Sequence, residues 1–528
     1  MSADAGLSRG DGATAHVFGP QVAPTDDPST CAEAAAWQSY VGCDYWPTVV
    51  ANDVWSVFDF AVVVANAGDS PASVTITGPA GTNQTQTVAP NDLAKFYLPW
   101  VPALKGPDSD VCGTSMPLTA SVLARGGAYH LVSSVPVTVY QFNALEYAGR
   151  GGPAGKDWSS CPGNQLCNDP ESGNNGGSLG CFSFSNDSSL LLPSTALTGN
   201  YRVTAYPGQS ATEPGGQPVA VMNGYVAITA TVDATNVKVL LAPAGDIVGG
   251  TSVQATAAGG ELDLTLNAGD VAELASDPGD TVDLSGSLIT ADQPIQVIAG
   301  APCDEIPENA PACDHLEQSV FPAETLGKRY FVSLPTGPLG MPVNHVVRFY
   351  GNVDGTTLTY APAAPTGCPA KLDAGQVVDC GVVDSDFEVT GSSEFAVGTF
   401  MLGGSIVDPT GGLGDPSQSM IASVEQFRTK YVFLAPSDYD VNFIDVIAPL
   451  NVEMTLDGAT VDWGMVSPLA SGYEVLRVGL SPTNSGAHTL EAASPVGIQV
   501  LGYGLFTSYQ YPAGLNLKHI APPPGPTR

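Results

Sequence analysis

One pattern recurs four times along the chain: an apolar residue, several small or polar residues, a bend residue, and an alternating apolar strand. The copies are Leu131-Val-Ser-Ser-Val-Pro136-Val-Thr-Val139, Ile289-Thr-Ala-Asp-Gln-Pro294-Ile-Gln-Val297, Val389-Thr-Gly-Ser-Ser-Glu394-Phe-Ala-Val397 and Leu490-Glu-Ala-Ala-Ser-Pro495-Val-Gly-Ile498. A proline at the start of a strand sits where no ladder donor is needed, so each copy predicts a hairpin with a polar turn. A second marker recurs between the copies. Ser189-Leu-Leu-Leu-Pro193 leads to Tyr201, Ser319-Val-Phe-Pro322 to Tyr330 and Ser419-Met-Ile-Ala422 to Tyr431, with Ser-to-Tyr spacings of 12, 11 and 12. Turn signals accompany them at Asn91-Asp-Leu, Ala268-Gly269-Asp270 and Ala374-Gly375-Gln376. A fourfold order of this kind predicts four related units near 40–143, 187–300, 316–404 and 417–506.

Runs such as Phe58-Asp-Phe-Ala-Val-Val-Val64, Tyr225-Val-Ala-Ile-Thr229 and His345-Val-Val-Arg-Phe-Tyr350 are short and β-branched or aromatic. With 60 Gly and 44 Pro, long helices are excluded, whereas short strands joined by turns accommodate both. The predicted fold is all-β, as tandem or packed β-sandwich-like units, with a β-propeller as the alternative. A propeller blade of about 40–50 residues is shorter than the period seen. The chain divides into a flexible tether (1–30), unit 1 (31–143), a Gly/Asn/Cys-rich insertion (144–186), unit 2 (187–300), unit 3 (301–404), unit 4 (405–515) and a Pro-rich tail (516–528).

Ten cysteines complete the framework. Cys31/Cys43, Cys303/Cys313 and Cys368/Cys380 lie 12, 10 and 12 apart and are expected to pair locally. Cys112, Cys161, Cys167 and Cys181 form a second group in which three pairings stay open. The spacing lacks C-x-x-C, which leaves zinc ribbons and thioredoxin-like redox motifs without support. Disulfides imply an oxidising compartment, although Met1–Gly10 has neither the basic nor the apolar region of a signal peptide. The expectation is an exported chain whose leader is absent from this numbering. The sequence contains no apolar run long enough to span a bilayer as a helix.

Charged residues make up only 13% of the chain, and 17 Lys+Arg against 52 Asp+Glu give a formal charge of −35. A surface of that sign repels phosphate backbones, so nucleic acid is not an expected partner. The search for catalytic groups finds none. The six histidines (His16, His130, His315, His345, His488 and His519) form no H-E-x-x-H and no pair within five residues. There is no phosphate-binding loop.

Three stretches carry residues of site chemistry. Asp304, Glu305, Asp314 and Glu317, around the Cys303/Cys313 loop, offer oxygens to calcium, but a stapled turn between units fits the residues better. Asp108-Ser-Asp110 opens like a calcium loop yet lacks the bidentate Glu, so a solvated loop is expected. Tyr40, Tyr45, Trp46, Trp55, Phe58 and Phe60 read as core of the first unit rather than as a sugar or partner platform. No other cofactor is implied. Two glycosylation sequons occur, at Asn83 and Asn186.

Four stretches carry a resemblance. Tyr40-Val-Gly-Cys-Asp-Tyr-Trp46, Pro136-Val-Thr-Val-Tyr-Gln-Phe-Asn143, Asp187-Ser-Ser-Leu-Leu-Leu-Pro193 with Gly199 and Tyr201, and Cys313-Asp-His-Leu-Glu317 with Pro322, Thr325, Gly327, Lys328 and Tyr330 are the residues concerned. Together they resemble the N-terminal domain family of IgG Fc-binding protein, in a form like its bacterial, myxobacterial-type exported members. The resemblance implies an extracellular, non-enzymatic, β-rich binding module, and brings no catalytic or ligand-binding residue with it. The expected function is therefore a secreted or cell-surface adhesion protein. It would present loops, among them 144–186, to a protein or glycan on a cell or in the matrix. The alternatives are a structural subunit of a surface layer or fibre, and a secreted hydrolase with a dispersed active site.

Overall fold

Why the four repeats are units becomes clear from their strands. The computed structural model describes residues 28–116, 118, 120–169, 174–212, 218–250, 252–279, 281–480 and 486–524. Most of the expected tether, with His16, and the last residues of the tail lie outside this range. Units 2 and 3 each hold eight strands in two antiparallel sheets, paired first–sixth–third–fourth and fifth–second–seventh–eighth; units 1 and 4 keep that order with one long strand, His130–Phe142 or Gly486–Gly504, serving as both sixth and seventh. In unit 2 the first sheet is Asn200–Arg202, Leu288–Ala291, Thr235–Leu240 and Glu261–Leu266. Its second sheet is Val271–Ala275, Tyr225–Ala230, Ile295–Asp304 and Asp314–Ser319. Unit 3 repeats this between Arg329 and Met420. Unit 1 spans Gly42 to Leu191 and unit 4 Arg428 to Pro512.

The two sheets differ in the way their sequences foretell. Thr235–Leu240 and Glu261–Leu266 alternate buried and exposed residues, the mark of a sheet with one wet face. Phe60–Asn66, Tyr225–Ala230 and His345–Gly351 are buried at every position, because the second sheet of each unit packs on both faces. Its inner face meets the unit's own first sheet, and its outer face meets a neighbouring unit. Tyr225, Ala227 and Ile298 of unit 2 join the core of unit 1. Ala301 and Leu316 of unit 2 pack with Val346 and Phe400 of unit 3. Met401 of unit 3 meets Leu501 and Tyr503 of unit 4. Tyr431, Phe433 and Tyr511 of unit 4 close on Ala61, Val63 and Tyr140 of unit 1. Each of the Leu, Ile, Val, Met and Phe side chains among them contributes roughly 1.5–3 kcal/mol by leaving water. The circuit 1–2–3–4–1 makes four sandwiches stand round an axis like the blades of a four-bladed propeller. Sandwich and propeller are thus both present, the blade being a whole sandwich.

Two expectations are corrected. The four copies of the opening pattern are not hairpins. Leu131–Val139 lies within one continuous strand, His130–Phe142, and Leu490–Ile498 within another, Gly486–Gly504. In units 2 and 3 the copy covers the sixth and seventh strands, which belong to opposite sheets. The small polar residues and the Pro mark a chain crossing from one sheet to the other at a sandwich corner. The second correction concerns boundaries. Ser188–Leu191, Asp314–Ser319 and Ser417–Met420 pair with the preceding seventh strand, so each closes the unit before it rather than opening the next.

The two recurring sequence markers meet in space. Tyr201, Tyr330 and Tyr431, with Tyr45 of unit 1, lie in the first strands. Their hydroxyls donate to the carbonyls of Ile295, Phe395, Val496 and Val137. All four acceptors immediately follow the bend residue of the crossing pattern. Each tyrosine thereby pins the point where the chain changes sheets. The turn signals fall where a left-handed backbone is needed: Asn91 (φ 55°), Gly269 (φ 80°) and Gly375 (φ 77°) precede the fifth strands.

Candidate binding face

The four eighth strands are buried along their whole length and surround the axis. Ser188–Leu191 lies against Asp314–Ser319, that against Ser417–Met420, that against Thr507–Pro512, which returns to the first. Two aspartates interlock them. Asp187 accepts from the backbone N–H of Ser188, Glu317 and Gln418 and from Ser417 Oγ, at 2.8 to 3.1 Å, so one carboxyl ties units 1, 2 and 3. Asp314 accepts from the N–H of His315, Asn186 and Ser508 and from Thr507 Oγ1, tying units 1, 2 and 4. Burial pushes both carboxyls well up, against the pull of those backbone donors; beside Asp314 the charge of Asp415 pushes further. Glu317 accepts from the side-chain amides of Gln141 (2.7 Å) and Asn143.

The segments that feed these strands, each joining a seventh strand to an eighth, form a closed circuit on one end of the ring. They are 143–187, 305–313, 402–416 and 505–506. Ser185 Oγ donates to the Pro302 carbonyl and Asn186 N–H to Asp314, joining the first to the two strands that flank the second. Gly403 N–H donates to Ile306, joining the second to the third. Gly414 N–H donates to Gly504 and Phe506 N–H to Gly412, joining the third to the fourth. Phe506 then meets Phe182 and Phe184 of the first, ring centres 6.2 and 5.9 Å away.

Disulfides staple this end. Cys161 pairs with Cys181 inside the long connection, and Cys112 with Cys167 ties it to the preceding loop of unit 1. Cys303 pairs with Cys313 across the second connection, while Cys31–Cys43 and Cys368–Cys380 lie elsewhere in units 1 and 3. Large apolar side chains remain exposed on three of the four connections: Leu166 at 71%, Ile406 at 46% and Phe506 at 40%. None of these three carried a sequence signal, because a lone apolar residue in a loop has no periodicity to betray it.

The residues singled out by sequence fall as follows. Asp304, Asp314 and Glu317 are buried and Glu305 is half-buried. Among the described residues no three His, Cys, Asp or Glu side chains converge as a metal-holding group. Asp108 accepts from Ser56 and Lys105, and Asp110 from the N–H of Cys112 and Thr114, so that loop is held by protein donors. Tyr40, Tyr45, Trp46, Trp55, Phe58 and Phe60 are all buried. Asn83 is exposed, whereas Asn186 is buried with its amide bonded to the carbonyls of Ala144 and Glu146. No described helix is long and apolar enough to cross a membrane.

Comparison with known proteins gives two matches. A family model described as IgGFc binding protein matches residues 187–502. The human protein named IgGFc-binding protein is 27% identical over 342 residues, which is 63% of this chain. The chain spans only 6% of that relative's length. No solved structure matches.

Proposed function

Because the chain belongs to the IgGFc binding protein family, we propose that it is a non-enzymatic binding protein of the cell exterior that docks a protein partner on the circuit of four connections. The observation that carries the reading is the contrast at that end of the ring. Exposed apolar tips at Leu166, Ile406 and Phe506 stand on backbone fixed by disulfides and by the buried hub. Large apolar side chains on a preorganised surface are the usual anchors of a protein interface, since little ordering entropy remains to be lost. Five disulfides suit an oxidising exterior. The human relative is named for binding the Fc part of immunoglobulin G, and that fragment is the first probe to try.

The test is binding of the full chain to Fc and to extracellular matrix proteins, beside a variant carrying Leu166→Asp, Ile406→Asp and Phe506→Asp. The variant should lose at least about tenfold in affinity, the effect of removing roughly 1.4 kcal/mol from an interface, at an unchanged melting midpoint. Unchanged affinity for every partner bound would remove the face from the account. Binding of glycans in place of protein would redirect the partner class.

A further inference from the structure

Three side chains that the binding reading does not use meet beneath Gly152. A side chain built there would find Lys156 Cδ at 2.7 Å, Asp59 Oδ2 at 3.1 Å and Glu146 Oε1 at 3.1 Å. Lys156 Nζ donates to Asp59 Oδ2, with side-chain exposures of 11% and 22%. Glu146 is 1% exposed; its Oε2 accepts from the N–H of Asp59 at 3.3 Å, and its Oε1 is buried without a hydrogen-bond partner. The Trp158 ring lies 4.4 Å from Nζ and itself packs on Phe58, which limits water at the amine. An amine held on a carboxyl carbon's own oxygen, in a shielded site with a second carboxyl beside it, is the arrangement that condensation to an amide requires.

We propose that Lys156 and Asp59 become joined by an intramolecular isopeptide bond, with Glu146 relaying the protons. The pair first passes a proton from the ammonium to the Asp59 carboxylate, leaving a neutral amine and a neutral acid. The Nζ lone pair then attacks Asp59 Cγ, forming the C–N bond and a tetrahedral centre. Protonated Glu146 gives its proton to the departing hydroxyl, the C–O bond breaks, and one water leaves. Glu146 recovers a proton from the new N–H centre and ends as it began. Nothing is oxidised or reduced, and no co-reactant is needed. Glu146 suits the relay because burial, and then the charge of Asp59, pushes its carboxyl up to about 7. Burial likewise raises Asp59.

The contrast with Lys105 sharpens the assignment. Its partner Asp108 also accepts from Ser56 N–H and Oγ, and these bonds with Lys105 outweigh burial and lower its carboxyl, keeping it an ionised, unreactive partner. The Lys156–Asp59 bond would lock the insertion onto the start of unit 1's second strand, a second covalent tie to unit 1 beside the Cys112–Cys167 disulfide.

The experiment is the intact mass of the purified full chain after reduction and denaturation, followed by peptide mapping. The chain should be lighter than its sequence by one water, and one branched peptide should join the segments holding Asp59 and Lys156. Lys156→Arg should carry full mass, and Glu146→Gln should carry full mass in most molecules. A wild-type chain of full mass with an acylatable Lys156 amine would overturn the proposal. So would a water loss that maps to any other residue.

Discussion

Units 1 and 4 use one topology, yet the connections from their seventh to eighth strands could hardly differ more. In unit 4 it is Leu505 and Phe506 alone; in unit 1 it runs through 143–187 and is stapled at Cys161–Cys181 and Cys112–Cys167. The strands on either side pair antiparallel in both units. The hub is thus the conserved part of each repeat and the connection the free one, which is why partner recognition is assigned to the connections.

If the hub is what the units share, damage there must be felt by all four. Asp187→Ala strands four donors from three units, each costing about 1–3 kcal/mol unpaired, so the loss should exceed roughly 4 kcal/mol in urea unfolding. A loss confined to unit 1 would make the hub a passenger. Next in size is the long connection's staple. Cys112→Ser with Cys167→Ser should cost about 2–4 kcal/mol and open 143–187 to protease, leaving the short connection of unit 4 untouched.

Removing one crossing pin should come third. Tyr330→Phe leaves the buried Phe395 carbonyl without its donor and should cost about 1–3 kcal/mol, as should Tyr201→Phe and Tyr431→Phe in their own units. Widely different costs would show that packing, not the hydroxyl, holds the corners. A pH effect is expected from the third connection. Burial pushes Asp415 up from 3.8 to about 7. It stays protonated in the fold while the unfolded chain ionises, so its contribution is complete below pH 3.8 and is lost as pH rises to about 7. Asp415→Asn should flatten the stability profile over that window; an unchanged slope would place the titration elsewhere. The smallest effect belongs to Leu166→Ser, which should move stability by less than about 0.5 kcal/mol while weakening partner binding.

The all-β class, the four units and the turns before the fifth strands at Asn91, Gly269 and Gly375 are legible because periodicity and turn chemistry are local. Buried runs such as Phe60–Asn66 announced the inner sheets for the same reason. The crossing corners are not legible, since a Pro between apolar strands looks alike at a hairpin and at a sheet change. What decides between them is which strands pair, a property of residues about a hundred positions apart, such as Tyr201 and Ile295. The hub was half-visible. Asp187 and Asp314 lie inside motifs that carried the family resemblance, but nothing local says that both point to one axis. The Lys156–Asp59–Glu146 meeting depends on the fold of an insertion with no repeat to align it.

Hydrogen exchange of the native chain tests the central claim most directly. Amides of Ser188–Leu191, Asp314–Ser319, Ser417–Met420 and Thr507–Pro512 should be the slowest in the molecule. They should open together, with one shared free energy, because the four strands belong to a single interlocked hub. Four separate opening energies, one for each unit, would mean beads on a chain and would contradict the ring.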